Sequence, residues 1–171
     1  EGQANVEHFI AAGGAGYFYG WPANNGAWTW DDGREILVGF SYGRFVEQEG
    51  HNTFEQKDYD GLARSLDGGF TWKIENSATY VPDIGVSSPS PGGFVFDAPG
   101  FAMRVKYGKF LVSQDRGKSW QGPYHFGALT DSRELTGMRL SSRTGYVVTG
   151  RSACLIFMSA KPHGNDYADK S

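Results

Sequence analysis

The sequence predicts an all-β chain, and three observations lead there. Short runs rich in Val, Ile, Phe, Tyr and Trp recur between clusters of Gly, Asp and Asn. Almost no stretch holds the 3.6-residue period of an amphipathic helix. Aromatics make up 15% of 171 residues that include 25 glycines, a composition suited to short strands joined by tight turns. The first extended segment is expected at 6–11 and the second at 26–30 (GAWTW), where Trp28 and Trp30, two apart, share one side of a strand. Apolar runs then predict strands at 35–42, 59–66, 70–74, 93–97, 100–106, 108–113, 118–121, 135–140, 145–150 and 154–160. Between them, 44–58 reads as a long polar loop, and 75–92, with Pro82, Pro89, Pro91 and many serines, as another. Long loops in a compact β domain usually carry function or mobility.

Composition narrows the function. Charged residues are 20% and the net charge is −3, so nothing points to nucleic acid, an anionic membrane or any other polyanion as partner. The apolar runs are too short to cross a bilayer as helices. Cys154, the single cysteine, lies in the apolar run ACLIF and reads as a buried thiol, so neither an internal disulfide nor a cysteine metal site is expected. No metal or cofactor is expected from any other pattern. The chain opens at Glu1 with no signal-like apolar segment, which is compatible with a removed leader or a trimmed end.

One pattern is written twice. Residues 65–72 read SLDGGFTW and residues 113–120 read SQDRGKSW, with Asp67 and Asp115 48 residues apart. In each, the aspartate can accept hydrogen bonds from the amides of its own turn, and a glycine supplies the positive φ that other residues resist. That pins a hairpin corner built from Ser65, Asp67, Gly69 and Trp72, and again from Ser113, Asp115, Gly117 and Trp120. The tryptophan heading the next strand is expected to pack between neighbouring sheets. The interval is close to the roughly 40–50 residues of one four-stranded propeller blade.

The pattern resembles the Asp-box, or BNR, repeat of the sialidase superfamily, whose members are six-bladed β-propellers. The resemblance implies that the box joins the third and fourth strands of a blade, on the face away from the active site, so Asp67 and Asp115 are scaffold. It also implies a single partial domain over 1–171, with blade one at about 26–74, blade two at about 93–121 and the start of blade three at about 135–171. These would be the N-terminal blades of a sialidase-like propeller, with the rest supplied by a longer protein or another chain. The alternative is a self-contained small β domain or a half-propeller that oligomerises.

The resemblance also places candidate chemistry. Sialidases open their first blade with Arg-Ile-Pro, the arginine gripping a sugar carboxylate; here Trp21-Pro22 aligns with Ile-Pro and Gly20 stands in the arginine's place. Trp21 is a candidate for stacking on a sugar ring. Arg44 matches an arginine that sialidases carry near the end of the second strand. The acid/base aspartate of the superfamily falls in the following loop, which offers Glu47, Glu49, His51, Glu55, Asp58 and Asp60. Asp58 and Asp60 are the expected catalytic pair, because the Asp-Tyr-x-Asp grouping recurs as Asp166-Tyr167-Ala168-Asp169. Glu49, His51, His163 and Asp166 join Trp21 and Arg44 as expected substrate contacts. The function expected is a sialidase-like, exo-acting glycoside hydrolase on terminal sugars of glycans, secreted or periplasmic. The other reading is a non-catalytic Asp-box propeller module that binds glycan or protein.

Overall fold

The computed structural model describes residues 6–49, 59–80, 85–127 and 132–162. Among them, eleven strands fall into three sheets, and none of the sheets closes on itself. The first contains β1 (Tyr17–Gly20), β2 (Ala27–Trp30), β3 (Glu35–Arg44), β4 (Tyr59–Ser65) and β5 (Lys73–Glu75). The second contains β6 (Ser88–Pro89), β7 (Ala102–Lys106), β8 (Lys109–Ser113) and β9 (Gln121–His125), and the third is the hairpin of β10 (Met138–Gly150) and β11 (Ala153–Pro162).

β1 and β2 behave as one strand with an interruption. β2 pairs with the first half of β3, Val38 opposite Ala27, whereas β1 pairs with its second half, Ser41 opposite Gly20. Between them the chain bulges into a single helical turn, α1 (Pro22–Asn25), whose Pro22 occupies the first helical position, where the missing N–H costs nothing.

Period-two alternation decides what meets between sheets. On β3 the residues Glu35, Leu37, Gly39 and Ser41, and on β4 Asp60, Leu62 and Arg64, belong to the face turned to the second sheet; Ala102, Arg104 and Lys106 of β7 answer them. At the centre Trp28, Leu37, Leu62, Tyr80, Ala102, Leu111 and Trp120 form one apolar cluster. The opposite face of the second sheet, Met103, Val105, Phe110 and Val112, packs with Phe101 in a second cluster, which the hairpin covers with Cys154, Ile156 and Met158. The second sheet is thus buried on both faces, which explains the unbroken burial of β7.

Several expected strands are corrected. Residues 6–11 form none: Val6, Phe9 and Ile10 are exposed, and β propensity expresses a fit to a half-buried pleat that this segment does not have. Residues 93–97 form none either; Gly92 and Gly93 take φ of 70° and 73°, and Phe94 and Phe96 reach the second cluster from irregular backbone. The segments 135–140 and 145–150 belong to one strand, β10, whose register shifts between Ser142 and Tyr146 absorb the break as a bulge. The expected strand 118–121 begins at Gln121 instead, and β1 and α1 were not expected.

The two Ser-x-Asp corners join β4 to β5 and β8 to β9, successive antiparallel strands in each sheet. Their bonding matches atom for atom. Ser65 Oγ donates to Asp67 Oδ1 at 2.8 Å and accepts from the Gly69 amide at 2.8 Å; Ser113 does the same with Asp115 and Gly117, again at 2.8 Å and 2.8 Å. The Thr71 amide and hydroxyl donate to Asp67 at 2.9 and 2.6 Å, as those of Ser119 do to Asp115 at 2.9 and 2.6 Å. Each tryptophan indole donates to its own turn, Trp72 to Gly69 O and Trp120 to Gly117 O. Trp120 then lies between the first two sheets, with ring centroids 5.2 Å from Trp28 and 5.3 Å from Tyr80, whereas Trp72 is half-buried. Arg116, at φ 60°, stands where the first corner has Gly68, and its guanidinium forks onto Asp31 (2.5 and 2.9 Å) and reaches Glu35 at 2.6 Å. Glu35 also accepts from Arg64 at 2.5 Å, so the corner end of the interface is closed by ion pairs.

The corner bonds have a pH signature. Donation from the Thr71 hydroxyl and amide and from Ser65 lowers the Asp67 carboxyl from 3.8 to about 2. Its folded value lies below the unfolded one, so the stabilisation is complete above about pH 4 and fades as pH falls towards about 2. The gap in urea midpoint between the native protein and Asp67→Asn is therefore expected to be widest at neutral pH and to shrink below about pH 4. A gap independent of pH would contradict this account of the corner.

Candidate functional site

At the end of the sheets away from the two corners, a cavity of about 170 Å³ is lined by Trp21, Asn24, Ser41, Lys106, Tyr107, Ser141, Ser142 and Arg143. Each element delivers its residue for a local reason. The α1 turn projects Trp21 and Asn24; β3 brings Ser41; the tight β7–β8 connection carries Lys106 and Tyr107; and the bulged part of β10 supplies Ser141 to Arg143. A wider groove of about 530 Å³, between β2 and β10, is lined mainly by apolar and aromatic side chains such as Trp30, Phe96, Phe101 and Tyr146. The smaller cavity is the better site, because several polar groups converge there.

Its backbone is also strained. Trp21 at φ 59°, Tyr107 at φ 50° and Thr144 at φ 54° are left-handed without being glycine, and for the β-branched Thr144 this is a true outlier. Such conformations cost on the order of 1–3 kcal/mol each and persist only where the surroundings hold them. Thr144 is held by its hydroxyl, whose one proton is shared between the Asn24 and Val105 carbonyls, 3.2 and 3.0 Å away. The Trp21 carbonyl accepts from the Asn25 side-chain Nδ2 at 3.1 Å, and the Trp21 ring meets Phe18 edge-on at 5.7 Å.

Beneath the cavity lies a buried polar network. Asp60 Oδ2 accepts from Arg104 and, at 2.9 Å, from Lys106; Oδ1 accepts from Ser41 Oγ at 2.7 Å. Asn25 ties the pieces together, donating to Ser41 Oγ at 3.0 Å and accepting from Arg104 Nη2 at 2.7 Å. Tyr80 lies with its ring 4.5 Å from the Arg104 guanidinium and donates its hydroxyl to the Asn25 carbonyl at 2.8 Å. Burial raises the Tyr80 phenol, which keeps it a neutral donor. Gly39 makes room for this: a Cβ there would stand 2.7 Å from the Asn25 carbonyl oxygen and 2.5 Å from the Tyr80 hydroxyl.

The expected site residues divide accordingly. Trp21 lines the cavity. Asp60, expected as a catalytic carboxylate, has no exposed side-chain surface, and its two oxygens accept from Arg104, Lys106 and Ser41 beneath the pocket. Arg44, at the end of β3, and Glu49, beyond it, are exposed and outside the cavity lining. Asp58, His51, His163 and Asp166 lie outside the described residues. Among the described residues no group of three or more His, Cys, Asp or Glu is placed to hold a metal ion. No protein-family model matches the chain, and no curated protein or solved structure does either. The chemistry of the site rests on its own geometry.

Lys106, Tyr107, Arg143 and the Asn25–Arg104–Tyr80 network were missed from sequence. The available signal was Arg104 and Lys106 at i and i+2 inside the apolar run FAMRVK, which demands a buried anion on the facing strand. Removing the Tyr80 hydroxyl with Tyr80→Phe leaves the buried Asn25 carbonyl without that donor. A loss of about 1–3 kcal/mol in urea unfolding is expected. A change under about 0.5 kcal/mol would show that the network does not depend on this bond.

Proposed function

We propose that the pocket end of this chain receives the terminal sugar of a glycan, and that the protein is a sialidase-like glycoside hydrolase meeting its substrate outside the cytoplasm. The single observation that carries the reading is the cavity itself. A tryptophan edge, three serine hydroxyls and two cations converge on a space of about 170 Å³, at the end of the sheets away from both Asp-box corners. An indole offers an apolar face to a sugar ring, while hydroxyl, amide and cationic donors read its oxygens. The matching geometry of the two corners supports the superfamily resemblance, since each joins consecutive antiparallel strands. In this reading Asp60 holds the pocket floor, and Asp58 is the named carboxylate left for the acid role.

A second reading, a non-catalytic propeller module that binds glycan or protein, is favoured by a specific fact. No carboxylate is among the described residues that line the cavity.

Aryl-glycoside hydrolysis and glycan-array binding, measured on the native protein, Trp21→Ala and Asp58→Asn, separate the two. The hydrolase reading expects turnover that Asp58→Asn abolishes, and binding about tenfold weaker in Trp21→Ala, equivalent to ~1.4 kcal/mol. Binding without turnover would leave the module, and neither binding nor turnover would remove both.

A further inference from the structure

The wider groove between β2 and β10 is suited to a different chemistry from the cavity. Three of the rings lining it meet at right angles. Phe96 stands edge-on to Phe101, with centroids 5.2 Å apart and planes at 85°, and Phe101 stands edge-on to Tyr146 at 5.9 Å and 85°. Trp30 lines the same space of about 530 Å³, so the rings form the corner of an aromatic box. The segment that carries Phe96 is irregular but held. The Phe96 amide donates to the Arg151 carbonyl at 2.9 Å, the Ala98 amide to Val95 O at 3.2 Å and the Phe101 amide to Ala98 O at 2.9 Å. These bonds set Asp97 on a tight turn beside the rings. Its carboxylate is exposed, borders the groove and meets neither a cation nor a hydrogen-bond donor among the described residues. The other polar groups of the lining are few and mostly engaged: the Thr144 hydroxyl is turned to the Asn24 and Val105 carbonyls, and the Tyr146 hydroxyl accepts from the Met103 amide at 3.2 Å.

We infer that this groove binds a small organic cation, a quaternary or alkylated ammonium of the choline type, with Trp30, Phe96 and Tyr146 around its methyl groups and Asp97 as its counter-charge. A sugar in the groove would find too few partners for its hydroxyls. A wholly apolar ligand would strip water from the Asp97 carboxylate and return nothing to it. An alkylated ammonium answers both features of the lining: its methyl groups pack on the rings, whose quadrupole attracts the positive charge, and the carboxylate adds a direct charge pair. The inference is independent of the glycan reading, since none of these residues lines the smaller cavity.

The test is calorimetric titration of the purified protein with choline and with its uncharged isostere, the dimethylbutanol in which carbon replaces the ammonium nitrogen. Choline is expected to bind about tenfold more tightly than the isostere, with affinity falling as salt rises. Asp97→Asn, a change at an exposed position whose fold circular dichroism checks, is expected to weaken choline about tenfold and to leave the isostere as it was. Phe96→Leu keeps an apolar side chain but removes the ring, and is expected to weaken choline several-fold more than it weakens the isostere. Equal affinity for choline and the isostere would reduce the groove to an apolar surface and overturn the inference. Unchanged choline affinity in either variant, or no choline binding at millimolar concentration, would overturn it as well, and each of these results would leave the glycan reading untouched.

Discussion

The carboxylate of Asp60 is shared by two cations, Arg104 and Lys106, that β7 drives into the interface between the first and second sheets. Alternation leaves β7 no choice: with Met103 and Val105 committed to the second apolar cluster, residues 102, 104 and 106 must face the first sheet. Two buried cations need an anion, and β4 supplies it from the matching face. Burying ions is expensive, and removing one partner of such a group typically costs about 3–5 kcal/mol, because the rest is left uncompensated. The interface is therefore specific in register as well as apolar. A slip of β4 by one residue would turn Asp60 away from Arg104.

The same arrangement organises the two ends of the interface. In the middle, Leu37, Leu62, Ala102 and Leu111 exclude water; at one end Glu35, Arg64 and Arg116 close it beside the corners, and at the other Asp60, Arg104, Ser41 and Asn25 close it beneath the cavity. The floor of the pocket is thus a by-product of sheet packing. Lys106 reaches the cavity because Asp60 fixes it from below, and Trp21 is placed because Asn25, held by Ser41 and Arg104, anchors the α1 turn. Fold and site share the same atoms, so changes in the network are felt in both.

What was legible in the sequence follows the reach of the bonds. The corners were readable because every partner lies within a few residues: Ser65, Asp67, Gly69, Thr71 and Trp72 satisfy one another. Strands β3, β4, β7 and β8 were readable because their apolar runs are long enough to show. The network under the pocket was not, since Asp60 and Arg104 are 44 residues apart and Tyr80 sits in a stretch read only as loop. The burial of Asp60 against Arg104 was not legible either, because a carboxylate repeated in a motif looks the same on paper whether it faces solvent or a buried guanidinium. Phe94 and Phe96 misled in the other direction, since aromatic side chains can fill a core from irregular backbone.

The claim beneath all of this is that Asp60 and Arg104 act as one unit holding the two sheets together. A double-mutant cycle in urea unfolding, with Asp60→Asn, Arg104→Gln and the two combined, measures that directly. The structure predicts a coupling energy of about 2–3 kcal/mol, the double variant losing far less than the sum of the singles. Additive losses, with coupling under about 0.5 kcal/mol, would mean that the pair is not what joins the sheets.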